Sequence, residues 1–182
     1  MVGCSGSGKT RLGATLARRL EVPHVELDAI FHQPGWTELE PGEFRSRVGE
    51  RVGTSGWVVD GNYSGVQDLV WARADTVVWL DLPLPVVAGR VVARTVGRVV
   101  RRTELWNGNR ESASNLWSMD PQKSIIAWSL TRHGRYRRRY AQAAADPRWA
   151  HLAFIRLQSR RQVDAFVSTS NRSPAPLDQG AR

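Results

Sequence analysis

Leucines at positions 12, 16 and 20 fall four residues apart while Arg11, Arg18 and Arg19 lie off that stripe, which predicts an amphipathic helix from about Gly8 to Leu20. Pro23 stops it. Four short apolar runs then predict strands: His24–Leu27, Trp57–Asp60, Asp75–Pro83 and Leu152–Leu157. The run from Asp75 is continuous enough to be buried on both faces, as strands of parallel sheets are. Helical stretches separate these runs. Residues 37–53 carry Phe44 and Val48 as an i, i+4 apolar pair after a start near Pro41, and Gly53–Gly56 makes a turn. A helix over Pro85–Arg102, helical composition over Pro121–Ala145, and a last helix over 159–168 with Val163 and Phe166 complete the alternation. Strands separated by helices predict an α/β domain with a mostly parallel sheet.

The Pro85–Arg102 helix has an unusual face. Arg90, Arg94, Arg98 and Arg101 share one stripe about 80° wide, with Val92, Val96, Val99 and Val100 on the opposite side. A solvated charged face is the plain explanation. Yet no acid intervenes between Asp81 and Glu104, so helical pairing cannot satisfy the stripe and an anion is the expected partner. Thr103 to Asp120 is polar, contains Trp106 and Trp117, and reads as a lid over about 103–120. Residues 169–182 read as a disordered tail, leaving one domain over 1–168.

Composition narrows the class without choosing a function. At 182 residues, with 41% hydrophobic and 24% charged residues, the chain suits one soluble domain. No apolar run approaches a membrane span and no signal-peptide pattern is present, so the cytoplasm is the expected compartment. A single cysteine excludes an intramolecular disulfide framework and a cysteine-based zinc site. The net charge of +9 is uneven: residues 1–81 carry eight Lys/Arg against eleven Asp/Glu, and residues 82–182 carry eighteen against six. Such asymmetry suits nucleic acid or a polyphosphate. Because Lys9 and Lys123 are the sole lysines, part of the bias reflects a preference for arginine codons.

The chemistry starts at Gly3-Cys4-Ser5-Gly6-Ser7-Gly8-Lys9-Thr10, which fits the Walker A pattern without a mismatch. Small residues let successive backbone N–H groups curl around phosphate oxygens, and the following helix aims its positive end at the same anion. Gly3, Ser5, Gly6, Ser7 and Gly8 would line that cradle. Lys9 would reach the β and γ phosphates of ATP, and Thr10 would hold Mg2+. A flexible Gly/Ser turn is the competing reading. Two acids stand at predicted strand ends, where ligands of parallel sheets bind. Asp60 would deliver a carboxylate to the magnesium shell, and Asp28 would face an acceptor unless it only caps a helix. Phe31, His32, Trp36 and Tyr63 predict an aromatic-lined acceptor pocket that suits a nucleoside or a hydrophobic metabolite.

With these motifs placed, the chain resembles the small P-loop kinases related to adenylate kinase and shikimate kinase. Trp57-Val58-Val59-Asp60-Gly61-Asn62-Tyr63 is similar to the adenylate kinase strand ending Asp-Gly-Phe-Pro-Arg. Leu80-Asp81-Leu82-Pro83 with Arg90 and Arg94 is similar to that family's Asp-x-Pro strand and the two-arginine helix before its lid. By this resemblance Arg90 lies against the nucleotide base and phosphates, and Arg94 contacts the transferred phosphoryl group. A closer resemblance is to bacterial DNA topology modulation proteins, or adenylate-kinase-like ATPases, through Leu27-Asp28-Ala29, Pro34-Gly35-Trp36 and Asp60-Gly61-Asn62-Tyr63. It covers roughly residues 2–168. Tyr63 and Ser64 stand where adenylate kinase has its arginine, and Phe31–Trp36 replaces the AMP-binding segment.

The resulting expectation is a three-layer P-loop fold with strand order 2-3-1-4-5, in which the first strand is truncated to Met1 and Val2. Since the missing strand would be central, the natural protein is expected to start several residues upstream. The expected function is transfer of the γ-phosphoryl group of ATP to a small acceptor by Lys9, Asp28, Asp60, Arg90 and Arg94. Arg132 and Arg135 are expected to close over the phosphates from the helix behind the lid. An alternative is an ATP-regulated nucleic-acid binder gripping phosphates with Arg135–Arg139 and stacking bases on Tyr136 and Tyr140.

Overall fold

Five short strands alternate with helices in the computed structural model, which describes residues 1–101, 104–109 and 125–170. The strands are β1 (Val2–Gly3), β2 (His24–Glu26), β3 (Val58–Asp60), β4 (Thr76–Leu80) and β5 (Ala153–Leu157). The α-helices are α1 (Lys9–Leu20), α2 (Leu27–Phe31), α3 (Pro41–Arg51), α4 (Gln67–Trp71), α5 (Leu84–Val100), α6 (Ile125–Ala144) and α7 (Arg160–Thr169). All pairing between these strands is parallel. β2 lies beside β3 in register His24↔Val58 to Glu26↔Asp60, and β4 lies between β1 and β5.

The two strand groups meet at the N-terminus. The Met1 amino group donates to the Val59 carbonyl at 2.7 Å, and the Gly61 N–H donates to the Met1 carbonyl at 3.4 Å. Asn62 continues that connection with its side chain. Its amide Nδ2 donates to the Gly3 carbonyl at 2.7 Å, while its Oδ1 accepts from the Gly3 N–H at 3.2 Å. One side-chain amide thus satisfies both backbone groups of a residue whose burial would make them costly to leave unpaired.

Helices cover both faces of the strands. Along β4, Val77 and Trp79 enter a cluster with Phe44, Val48, Val70, Trp71 and Tyr140, whereas Val78 and Leu80 enter another with Leu12, Leu16 and Ala17. That alternation follows from the two-residue period of a strand, and each fully buried side chain of this kind contributes roughly 1.5–3 kcal/mol. The leucine stripe of α1 is therefore core, as its spacing predicts, although Leu20 at the helix end is 37% exposed. On α7, Val163 and Phe166 pack against the second cluster.

One local expectation needs correction, and two features lie beyond what the sequence predicts. The run His24–Leu27 is strand only to Glu26; Leu27 begins α2, so Asp28 stands in the first turn of a short helix. Helix α5 does not bury Val92, Val96 and Val100, which are 41%, 43% and 75% exposed; it buries Val87, Val91 and Thr95. The reason is a close approach: a side chain on Gly6 would meet Val91 Cγ2 at 2.5 Å, so α5 seats its Val87–Val91 edge directly on the N-terminal loop. Finally, residues 61–75 contain α4, whose Val70 and Trp71 are core.

Of the lid expected over 103–120, residues 104–109 are described, and the rest lies outside the described residues, as does the tail beyond Ser170. Residues 104–109 bear a 3-10 turn, Trp106–Gly108, that docks on the segment after α2. Asn109, 4% exposed, donates to the Gln33 carbonyl at 2.9 Å and accepts from the Trp36 N–H at 2.9 Å. Asn107 Nδ2 donates to the His32 carbonyl at 2.5 Å, and Trp106 Nε1 donates to Glu26 Oε2 at 3.0 Å. Among the described residues no helix is long and apolar enough to cross a membrane.

Candidate functional site

The N-terminal loop folds into a tight cradle because of its glycines. Gly6 and Gly8 have φ of +79° and +97°, values that glycine adopts without the Cβ penalty, and the Ser7 N–H returns to the Cys4 carbonyl at 3.2 Å. At the loop's root, a Cβ on Gly3 (φ +141°) would lie 2.5 Å from the Leu80 carbonyl. Gly8 caps α1 with no side chain between the helix's first N–H groups and the cleft. Ser7 is buried with an unpartnered hydroxyl, and the exposed Thr10 stands in the first turn of α1.

Three cations converge on this loop. Lys9 folds back to donate to the carbonyls of Gly3 at 2.8 Å and Cys4 at 3.1 Å. Burial pushes its ammonium below the ordinary lysine range, opposed by the nearby carboxylates of Asp60 and Asp28. From α5, Arg90 Nη1 donates to the Ser7 carbonyl at 3.2 Å and Arg94 Nη2 to the Ser5 hydroxyl at 2.9 Å. Arg98 lines the same cleft one turn on, while Arg101 does not. Two of the four members of the arginine stripe thus contact the loop, and a third lines the cleft beside it.

Asp60 ends β3 at 2% exposure, and its Oδ2 has no hydrogen-bond partner. His24 Nε2 stands 3.4 Å from it and itself makes no hydrogen bond. A buried carboxylate oxygen in that condition is costly unless something polar reaches it. Asp28 also lines the cleft, and its Oδ1 accepts from the Tyr63 hydroxyl at 2.7 Å. Burial first, and the Asp28 charge second, push the Tyr63 phenol far above its usual range, so it remains a donor.

Around Asp28 the expected aromatic residues do come together. Phe31 packs on Tyr63 at 4.7 Å between ring centres and on Phe44 at 5.1 Å, and His32 contacts Trp36 at 5.3 Å and stacks on Trp106 at 6.2 Å. These rings, the loop, Asp60 and the arginines enclose one continuous cleft of about 1750 Å³. That volume exceeds the 300–1,000 Å³ typical of a single small-molecule pocket.

The helix behind the lid differs from expectation. Neither Arg132 nor Arg135 lines the cleft; Tyr136 does. Tyr140 is 1% exposed inside the core, stacked on Tyr136 at 6.0 Å and donating to Asn62 Oδ1 at 2.9 Å, so its ring cannot receive a nucleic-acid base. Within the same arginine run, Arg137 pairs with Asp81 at 3.0 Å and Arg139 donates to Gln67, while Arg135 and Arg138 face solvent.

Sequence reasoning overlooked several residues that shape this site. Asn62 appears in a motif, but no periodicity signals that its amide clips Gly3. Trp106, Asn107 and Asn109 sit in a polar stretch with no helical or strand period, and Phe44 lines the cleft as well as the core. His24 beside Asp60 follows from the register of β2 and β3, which places Glu26 opposite Asp60. Neither the protein-family models nor the curated proteins compared with this chain give a match.

Proposed function

We propose that this protein transfers the γ-phosphoryl group of ATP to a small acceptor, with Mg2+ as the metal. The carrying observation is the convergence of Lys9, Arg90 and Arg94 on the glycine loop, in a cleft that Asp28 also lines within reach of the Lys9 charge. Such convergence suits a polyphosphate, because phosphoryl transfer is catalysed mainly by positioning and by neutralising charge on phosphate oxygens.

The residues present fit a magnesium ion. Asp60 offers a buried oxygen without a partner, and Thr10 supplies a hydroxyl from the first turn of α1. The ion would offset charge on the phosphates, and this chain's own groups do the remaining work. Loop N–H groups and the end of α1 hold the phosphates; Lys9 exchanges its loop carbonyls for phosphate oxygens. Arg94 balances charge on the transferred group, and Arg90 and Arg98 fix the donor. Asp28, oriented by Tyr63, accepts the acceptor's proton.

For the fold, we read the two strand groups as one sheet of order 2-3-1-4-5 joined at Met1, of the adenylate-kinase-like P-loop kind. A cytoplasmic setting, with ATP at hand, accords with that reading. The test is to incubate protein, magnesium and γ-labelled ATP with pooled nucleosides, nucleotides and small hydroxy compounds, and to identify which product acquires label. Lys9→Ala is expected to abolish labelling; unchanged turnover in that variant defeats the mechanism. Salt-dependent submicromolar DNA binding, without transfer to any acceptor, would favour the nucleic-acid alternative instead.

A further inference from the structure

The cleft is electrically divided. Lys9, Arg90 and Arg94 gather on the loop, whereas Glu26, Asp28 and Glu38 stand with the aromatic residues, Asp28 within reach of the Lys9 charge; Arg11, Arg98 and Glu104 also line the cleft. Among the described residues one arginine, Arg45, lines the cleft beside this second group, and it is already held: Nη1 and Nη2 donate to the two carboxylate oxygens of Asp68 at 2.9 and 2.8 Å. Glu38 is close enough to raise the Tyr63 phenol further, so its charge is felt beside Asp28. Rings rather than cations form the walls, with Phe31, Tyr63, Trp36 and Trp106 around Asp28.

From this division we infer that the acceptor is a ring-bearing alcohol with no phosphate or carboxylate, neutral or carrying a protonated amine. The inference rests on the phosphoryl-transfer reading and adds the substrate class. An anionic acceptor would enter against three carboxylates with, among the described residues, no uncommitted cation beside them to receive it, a repulsion that acts as selection against anions. A planar or sugar ring would pack on the aromatic walls, and a protonated amine would gain from both the carboxylates and the ring faces. In the transfer itself, the acceptor hydroxyl oxygen forms a bond to the γ phosphorus as the bond from that phosphorus to the β–γ bridging oxygen breaks. ADP leaves with the electron pair of the broken bond, and the hydroxyl proton passes to Asp28 and then to water.

Matched pairs test this directly. Adenosine against AMP, and glucosamine against glucuronate, are offered with magnesium and γ-labelled ATP, while ATP binding is measured separately by calorimetry. The expected result is label in the uncharged or cationic member at least about tenfold above its anionic partner. Equal or greater labelling of AMP or glucuronate overturns the inference, as does ATP binding with no label in any member. Absence of ATP binding instead removes the phosphoryl-transfer reading beneath it. Glu38→Lys supplies the converse test, since Glu38 is exposed and its loss leaves the core intact. In a pair that is labelled, this variant should move the preference toward the anion about tenfold, and an unmoved preference counts against the carboxylate wall.

Discussion

Arg94 reaches the Ser5 hydroxyl at 2.9 Å across 89 residues of sequence, and one helical turn earlier Arg90 meets the Ser7 carbonyl at 3.2 Å. Between them Val91, fully buried, fills the space left by the absent side chain of Gly6. The apolar contact therefore sets the depth at which both guanidinium groups stand over the loop.

From that arrangement Arg94→Ala should lower kcat by about 10²-fold or more, with ATP affinity changed less, because its charge is needed most where charge develops during transfer. Arg94→Lys should recover only part of the loss, since a lysine keeps the charge but not the planar fork. Steady-state kinetics alongside direct ATP binding separates the two effects. Equal losses in kcat and affinity would instead make Arg94 a ground-state contact.

Gly6→Ala tests the seat of α5. A Cβ there would lie 2.5 Å from Val91 Cγ2 and 2.8 Å from the Val87 carbonyl, and φ is +79°. Overpacking of this kind costs about 1–3 kcal/mol, and strain at positive φ adds to it. The variant should melt at lower temperature and bind ATP poorly. If Val91→Ala in the same chain restores part of both, the clash rather than the loop's flexibility is the cause.

Asn62 should behave as a piece of missing backbone. Asn62→Ala strands the Gly3 N–H and the Tyr140 hydroxyl, and removes one of the two donors to the Gly3 carbonyl, the other being Lys9. Leaving such groups unsatisfied costs about 1–3 kcal/mol each, so a fall of several degrees in Tm is expected, together with weaker ATP binding. Asn62→Asp keeps the acceptor for Gly3 and Tyr140 but loses the donor, and should fall between. A melting temperature that does not move would show that the clip is incidental.

Much of this site was legible in the sequence, for definite physical reasons. The glycine loop is a local motif, the strand ends are bounded by acids, and Arg90, Arg94 and Arg98 follow one helical period. What stayed hidden depends on distance in sequence. The buried face of α5 is not legible because periodicity separates two sides of a helix without saying which one the fold covers: Val92 and Val96 form as good a stripe as Val87 and Val91. Likewise, Tyr140 looked available for base stacking until its burial against Trp79 and Trp71 was seen. Asn109 and Trp106 lack any repeating pattern, so their docking on residues 26–36 could not be read.

Tyr63→Phe should lower kcat more than it weakens ATP binding. The Tyr63 hydroxyl donates to Asp28 Oδ1 at 2.7 Å and so fixes where that carboxylate stands. Asp28→Asn should lower kcat by about 10²-fold or more, as loss of a general base does. Turnover unchanged in Asp28→Asn would place the base elsewhere.

The last expectation concerns Asp68, which holds Arg45 in its bidentate pair. The Arg45 guanidinium lowers the Asp68 carboxyl from 3.8 to about 2. Because the folded value is depressed, the pair's stabilisation is fully present above about pH 4 and disappears as pH falls through about 2. Both side chains are well exposed, so solvent screening keeps the effect small. Asp68→Asn should therefore flatten the acid end of a stability curve only slightly. Its larger consequence should be functional: Arg45, still donating to the Gly65 carbonyl but no longer offset by Asp68, adds a net positive charge to the wall of the cleft. In a matched nucleoside and nucleotide pair, the variant should accept the anionic member better than the parent does. Were the preference unmoved while the acid end flattened, Arg45 would be shown to stand too far from the bound acceptor to influence it.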